Sequence, residues 1–284
     1  MEEKGKSSKL KQLVQSTINP FGEKVTNLLG FRKWSIDTFP VRVVITGIEH
    51  SGTTLLSTLV KQDLRLSSGF ECGFLLADCP RQFRDVHPWY EWMQEPVSAH
   101  QWGVSGKHLE SICASKTWEE AYRRLLNYSP VFDQERQQQV CDKTPRYLSC
   151  LDVVLDKLPD FVPCLVIEKE VESLWRSHKK RNSSLEDFCN HFELYNNGLR
   201  RALQRHGERI YRVKYEALCR DLHEQLRNVF SIVHLPFKQE YALRHSQNLQ
   251  EYHDKNSIGF EPLTKEEEYF LDNLRKRFAD LSIT

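Results

Sequence analysis

Gly47 and Gly52 bracket a four-residue stretch, Ile48-Glu49-His50-Ser51, and Thr53-Thr54-Leu55-Leu56 come directly after it. A glycine-bounded loop that opens a helix leaves backbone N–H groups unpaired, and the helix dipole adds about half a positive charge there. Such a place binds anions. The spacing is that of a phosphate loop, G-x-x-x-x-G-K-[ST], with Thr53 standing where the lysine belongs. An ordinary tight turn would share the glycines but not the flanking elements. Three other groups of residues could take part: Glu71, the run Asp142-Lys143-Thr144-Pro145-Arg146, and Lys169 with Ser177 eight residues on.

The elements that must hold these residues can be placed from local pattern. Val41–Thr46 is a β-branched apolar run that predicts a buried strand, and helical spacing starts at Thr53. Further strands are predicted over 64–70, 139–141, 163–167 and 209–215. Helices are predicted over 118–128, 171–179, 185–203, 216–232 and 264–278, the last with a capping box from Thr264 and Glu267. Alternating strands and helices imply an α/β chain of the P-loop type, three layers with a mainly parallel sheet and helices on both faces. Ligands bind such sheets at the carboxyl ends of the strands. The loop, Glu71, residues 142–146 and Lys169 each come directly after a predicted strand, so one edge gathers them all.

A nucleoside triphosphate needs the loop lysine and an acidic strand end to help hold Mg²⁺. Thr53 removes the first, and no strand offers a clear metal-binding aspartate. Lys169, with Ser177 two helical turns along, suggests a second anion instead. A nucleoside with two separate anionic ends describes 3'-phosphoadenosine 5'-phosphosulfate (PAPS).

These motifs resemble those of the PAPS-dependent sulfotransferases, and the bacterial and Golgi-type branch more than the small-phenol cytosolic branch. The family's loop reads [KR]-S-G-T-T-L-L, against His50-Ser51-Gly52-Thr53-Thr54-Leu55-Leu56 here. Its 3'-phosphate arginine and serine are matched by Lys169 and Ser177. Its Lys-Thr-Pro is matched by Lys143-Thr144-Pro145 with Arg146-Tyr147 behind, and its Tyr-Glu-x-Leu by Tyr215-Glu216-Ala217-Leu218. Relatives with a carboxylate base carry it about twenty residues past the loop serine, the position of Glu71. The matches run in order from about residue 41 to 218.

The resemblance implies a sulfonate transfer from PAPS, without a metal, to a hydroxyl or amine. Gly47, His50, Ser51, Gly52, Thr53 and Thr54 would hold the 5' phosphosulfate, and Lys169 with Ser177 the 3'-phosphate. Glu71 would be the general base, while His50 and Lys143 stabilise developing charge. Two departures stand out. His50 replaces a permanently charged residue with one whose ordinary pKa is about 6.5, and Lys169 lacks the fork of arginine. Glu49 is unexpected inside an anion loop and is expected to point outward. The alternatives are a nucleotide-binding protein without chemistry and a P-loop phosphotransferase.

Residues 79–115 hold three of the six tryptophans among prolines and fit neither period, so an aromatic insertion over the site is expected. Trp89 and Trp92, with Arg146, are candidates to meet the acceptor; the same aromatics would equally form a local hydrophobic cluster. The acceptor class, whether small molecule, carbohydrate or lipid, is not written in the sequence.

Composition narrows the rest. Forty basic residues face 39 acidic ones in a chain of 284, so no global field argues for nucleic acid. Eight cysteines without a C-x-x-C pair read as reduced thiols, which with no apolar leader predicts a cytoplasmic location. Residues 1–38 read as a partly ordered extension with a short helix around Leu10–Ile18 and an apolar patch at Val25–Phe31, suited to a peripheral membrane or partner contact. Residues 39–284 read as one α/β domain.

Overall fold

The computed structural model describes residues 35–243, 245 and 262–281. The chain divides into two units, Met1–Thr38 and Phe39–Thr284. The expected helix and apolar patch of the first unit lie outside the described residues. The second unit holds the sheet and every motif singled out above.

Five parallel strands form one sheet: β1 (Val41–Thr46), β2 (Leu66–Ser67), β3 (Gln139–Lys143), β4 (Cys164–Glu168) and β5 (Ile210–Lys214), in the spatial order β2-β3-β1-β4-β5. The central strand β1 pairs Val44 with Asp142 of β3 and Ile45 with Leu165 of β4. All six residues of β1 are buried, so both faces are covered, as an all-parallel sheet requires. On one face Val43, Ile45, Leu165 and Ile167 pack against α1 (Thr53–Val60) through Leu56 and Leu59. The same cluster takes in Leu218, Leu226 and Phe230 from the helices after β5.

Most elements lie where local pattern puts them, α2 (Trp118–Tyr128) and α3 (Val171–Lys179) to the residue, and α4 runs Leu185–His206. The predicted helix over 216–232 is two helices, α5 (Tyr215–Arg220) and α6 (Leu222–Ile232). They are broken at Asp221, whose side chain accepts from the Glu224 N–H at 3.2 Å. The final helix α7 (Lys265–Arg277) begins with the full capping box of Thr264 and Glu267.

The structure adds detail to local pattern in two further places. The strand predicted over 64–70 shrinks to Leu66–Ser67, because Gly69 lies close to the Trp102 indole, where even a Cβ would come within 2.7 Å. The stretch 79–115 also contains a real helix, Gly106–Cys113, capped by the Ser105 side chain and burying Leu109, Ile112 and Cys113. No helix among the described residues is long and apolar enough to cross a membrane.

Candidate active site

Because all strands run the same way, the loop after β1, Glu71, Lys143, Lys169 and Tyr215 emerge at one edge of the sheet. The loop after β1 is tight. Ser51 N–H donates to the Ile48 carbonyl at 3.0 Å, His50 sits at φ 69° and Gly52 at φ 107°. Gly52 must be glycine on two counts, since a Cβ there would be strained and would stand 2.7 Å from the Tyr215 ring. Gly47 passes close to β4, where a Cβ would come within 2.5 Å of the Ile167 carbonyl.

No side chain caps α1, so its first-turn N–H groups face the loop unclaimed. Thr53 is buried and Thr54 exposed in that first turn. Ser51 is 1% exposed, and its hydroxyl is buried without a hydrogen-bond partner. A buried hydroxyl left unpaired beside open amides fits an anion.

Lys169 and Ser177 meet, as their spacing implies. Lys169 Nζ donates to Ser177 Oγ at 3.0 Å and lies 4.8 Å from the centre of the Tyr215 ring. Burial lowers the Lys169 pKa from its ordinary value, with Glu216 opposing.

Glu71 is held from three sides. Its carboxylate accepts from Trp89 Nε1 at 3.2 Å and pairs with Lys143 Nζ at 3.4 Å, while its carbonyl accepts from Trp102 Nε1 at 2.9 Å. Lys143 is 2% exposed and also stands 4.0 Å over the Phe70 ring. Burial raises the Glu71 pKa against the pull of Lys143, and burial lowers that of Lys143 against the pull of Glu71.

Trp89 is half-buried and spends its N–H on Glu71; Trp92 packs on Phe70 and on Trp89. Both tryptophans thus belong to the wall that fixes the carboxylate. Gly73, at φ 68°, lets Trp89 in, since a Cβ there would collide with the indole.

The loop's charged residues differ from expectation. Glu49 does not point outward: its carboxylate accepts the Tyr195 hydroxyl, and its carbonyl lies 3.1 Å from His178 Nε2. Arg146 is half-buried near the Tyr195 ring, 5.9 Å away, so Arg146, Tyr195 and Glu49 form one cluster. His178 is buried, although the run His178-Lys179-Lys180-Arg181 looks like a solvated helix face in sequence. Phe188 of α4 covers His178, and the His178 ring meets that of His50 edge to face at 4.9 Å. Partial burial, then Arg181, His178 and Lys169, push the His50 imidazole down to about 4. Without a bound anion His50 is neutral at pH 7.

Sequence pattern does not single out Tyr195 or His178. Tyr195 sits in a helical aromatic stripe that reads as core, and only its hydroxyl betrays a polar errand. Asp142 reads simply as part of its strand end; it is fully buried and accepts hydroxyls from Tyr122, Tyr147 and Thr144. Among the described residues no group of His, Cys, Asp and Glu could hold a metal ion, and all eight cysteines are free thiols.

Comparison with known proteins bears on the fold and the family. The sheet and its helices are similar to the sulfotransferase domain of the Synechococcus PCC 7002 olefin synthase, at 17% identity and a TM-score of 0.58 over 87% of this chain and 98% of that one. They are also similar to a sulfotransferase from Mycobacterium avium, at 14% identity and a TM-score of 0.52 over 87% and 78%. At such identities these likenesses speak for the fold. No curated protein sequence matches the chain at a significant level. The model of the sulfotransferase family covers residues 40–239. The chain belongs to the sulfotransferase family.

Proposed function

We propose that this protein transfers the sulfonate group of PAPS to a hydroxyl or amine of a small-molecule, carbohydrate or lipid acceptor, with Glu71 as general base. The reading rests above all on two separate anion stations at one sheet edge. The loop from Gly47 to Thr54 suits a 5' phosphosulfate, with Ser51 Oγ and the α1 amides as donors. Lys169 and Ser177 suit a 3'-phosphate and set its register. A triphosphate would lack its lysine at Thr53.

PAPS supplies the sulfonate and a good leaving group. Glu71 takes the acceptor's proton as its oxygen or nitrogen attacks sulfur in line with the departing phosphate. Lys143, already beside Glu71, stabilises negative charge on the sulfonyl oxygens. His50 donates to the leaving phosphate, and the negative charge of the phosphosulfate, set against the cations around the imidazole, favours its protonated form. Arg146 and the exposed faces of Trp89 and Trp92 meet the acceptor. Residues 39–284 carry this chemistry as one domain, and eight free thiols fit a cytoplasmic setting.

One feature favours a second reading, nucleotide binding without turnover: burial and neighbouring cations push His50 down to about 4, where the family's loop carries a fixed charge. Incubation with labelled PAPS and a pool of acceptors separates the two, since the first requires labelled product and the second only retention of the nucleotide.

A further inference from the structure

Thr144 comes directly after β3 and is fully buried. Its hydroxyl has one proton to give and two lone pairs to offer, and all three are used. Oγ1 donates to Asp142 Oδ1 at 3.2 Å and accepts the N–H of Cys72 at 3.2 Å and of Gly73 at 3.1 Å. These two amides come immediately after Glu71. The Thr144 carbonyl faces the other way. It accepts the Thr46 hydroxyl at 3.0 Å, and the same hydroxyl reaches the Pro145 carbonyl at 2.9 Å. Thr46 ends β1 and precedes Gly47, the first residue of the anion loop. One residue therefore ties the root of the loop to the segment that carries Glu71, and its own chain neighbour is Lys143.

Asp142 holds that hydroxyl's direction. Besides Thr144, its carboxylate accepts the hydroxyls of Tyr122 and of Tyr147, the latter at 3.1 Å. Tyr147 in turn accepts the Leu75 N–H at 3.2 Å, so the 71–75 segment is pinned at both ends. A fully satisfied buried network of this kind has one arrangement, which suits a distance that must not drift. Trp89 and Trp102 restrain Glu71 itself, through its carboxylate and its carbonyl.

We propose that Thr144 is a positioning residue that holds Glu71 and Lys143 at a set place relative to the anion loop, through the paired amides of Cys72 and Gly73. The proposal rests on the reading of Glu71 as base, and the test separates them. Glu71 is tracked by carbon-13 carboxylate NMR in the full chain, through a pH titration, in wild type, Thr144→Ser and Thr144→Val. PAPS turnover on the acceptor pool of a cell extract and calorimetric affinity for 3'-phosphoadenosine 5'-phosphate (PAP) are measured alongside.

Valine keeps the shape of threonine but can neither hold the amides nor bond Asp142. The Glu71 titration should then return toward the ordinary carboxylate range, and turnover should fall about a hundredfold. PAP affinity should stay close to wild type, and serine should preserve both the titration and the turnover. A Glu71 titration unmoved in Thr144→Val overturns the proposal. Should Thr144→Val not fold, Thr144→Ala and Thr46→Val test the two sides of the junction in the same way. Glu71→Gln completes the set. If it turns over like wild type while Thr144→Val shifts the Glu71 titration, the base assignment fails and the positioning stands. If it loses turnover while the titration is unmoved, the reverse holds.

Discussion

Lys143 Nζ and Glu71 Oε1 lie 3.4 Å apart across 72 residues of chain, and burial moves each toward its neutral form. A carboxylate raised from its ordinary value beside a lysine lowered from its own is well placed to accept a proton near neutral pH. Glu71→Gln should lower turnover by about 10²–10⁴-fold, the usual worth of general-base help, while PAP binding stays near wild type. The pH profile carries the sign. The base works deprotonated, so turnover falls as pH drops through a value above the ordinary carboxylate range of about 4.3. An acid limb at or below that value would contradict a base raised by burial.

Lys169 meets Ser177 at 3.0 Å, and both should reach one phosphate. Lys169→Ala should weaken PAP binding by about 1.5–3 kcal/mol, roughly ten- to more than a hundredfold, since a hydrogen bond to a charged group is lost. Ser177→Ala should cost less, because the hydroxyl is neutral and also bonds the Ser173 carbonyl at 2.9 Å. Calorimetry with PAP and with adenosine 5'-phosphosulfate, which lacks the 3'-phosphate, checks the assignment: both substitutions should matter for the first and little for the second.

His50 should take up a proton when nucleotide binds. Partial burial, Arg181, His178 and Lys169 hold it down to about 4 in the free protein, and a phosphosulfate would offset those cations. A group whose pKa rises on binding makes affinity grow as pH falls, in the window between the bound value and about 4. Calorimetric enthalpies at pH 6 should therefore depend on the ionisation enthalpy of the buffer. In His50→Lys this dependence should vanish.

The legible part of this molecule is the part written locally. Val41–Thr46 is rich in β-branched residues, and Thr264 with Glu267 spells a capping box, so strand and helix lie where the residues alone put them. Strand ends alone place Lys143 and Lys169 on one edge, whereas Glu71 comes four residues after the short β2 and is brought there by its contacts. What stays hidden in the sequence depends on residues far away in the chain. Glu49 turns inward because Tyr195, 146 residues on, offers it a hydroxyl. His178 is buried because Phe188 of the next helix lies over it. The strand predicted over 64–70 stops early because Trp102 occupies the space beside Gly69. None of these partners leaves a periodic or motif signal at the residue it governs.

Glu267 makes a stability prediction independent of the active site. Burial pushes its carboxyl up, yet the Thr264 amide, Lys179 and Trp175 outweigh that and bring it to about 2. Trp175 Nε1 and Lys179 Nζ each lie 2.9 Å from Oε1. A carboxylate lowered in the fold stabilises above its unfolded pKa, and the gain is lost as pH falls from about 4.3 toward 2. Glu267→Gln should flatten the melting temperature's decline over that window. Thr264→Ala should cost about 1 kcal/mol at any pH where the helix is capped.

Sulfonate transfer through Glu71 is tested most directly by following labelled sulfate from PAPS to acceptors in a cell extract, with wild type and Glu71→Gln side by side. The expected result is labelled product with wild type that needs no added metal, and almost none with Glu71→Gln although that variant still binds PAP. Equal labelling by both proteins would contradict Glu71 as the base, and failure of wild type to bind PAP or label any acceptor would contradict PAPS as the donor.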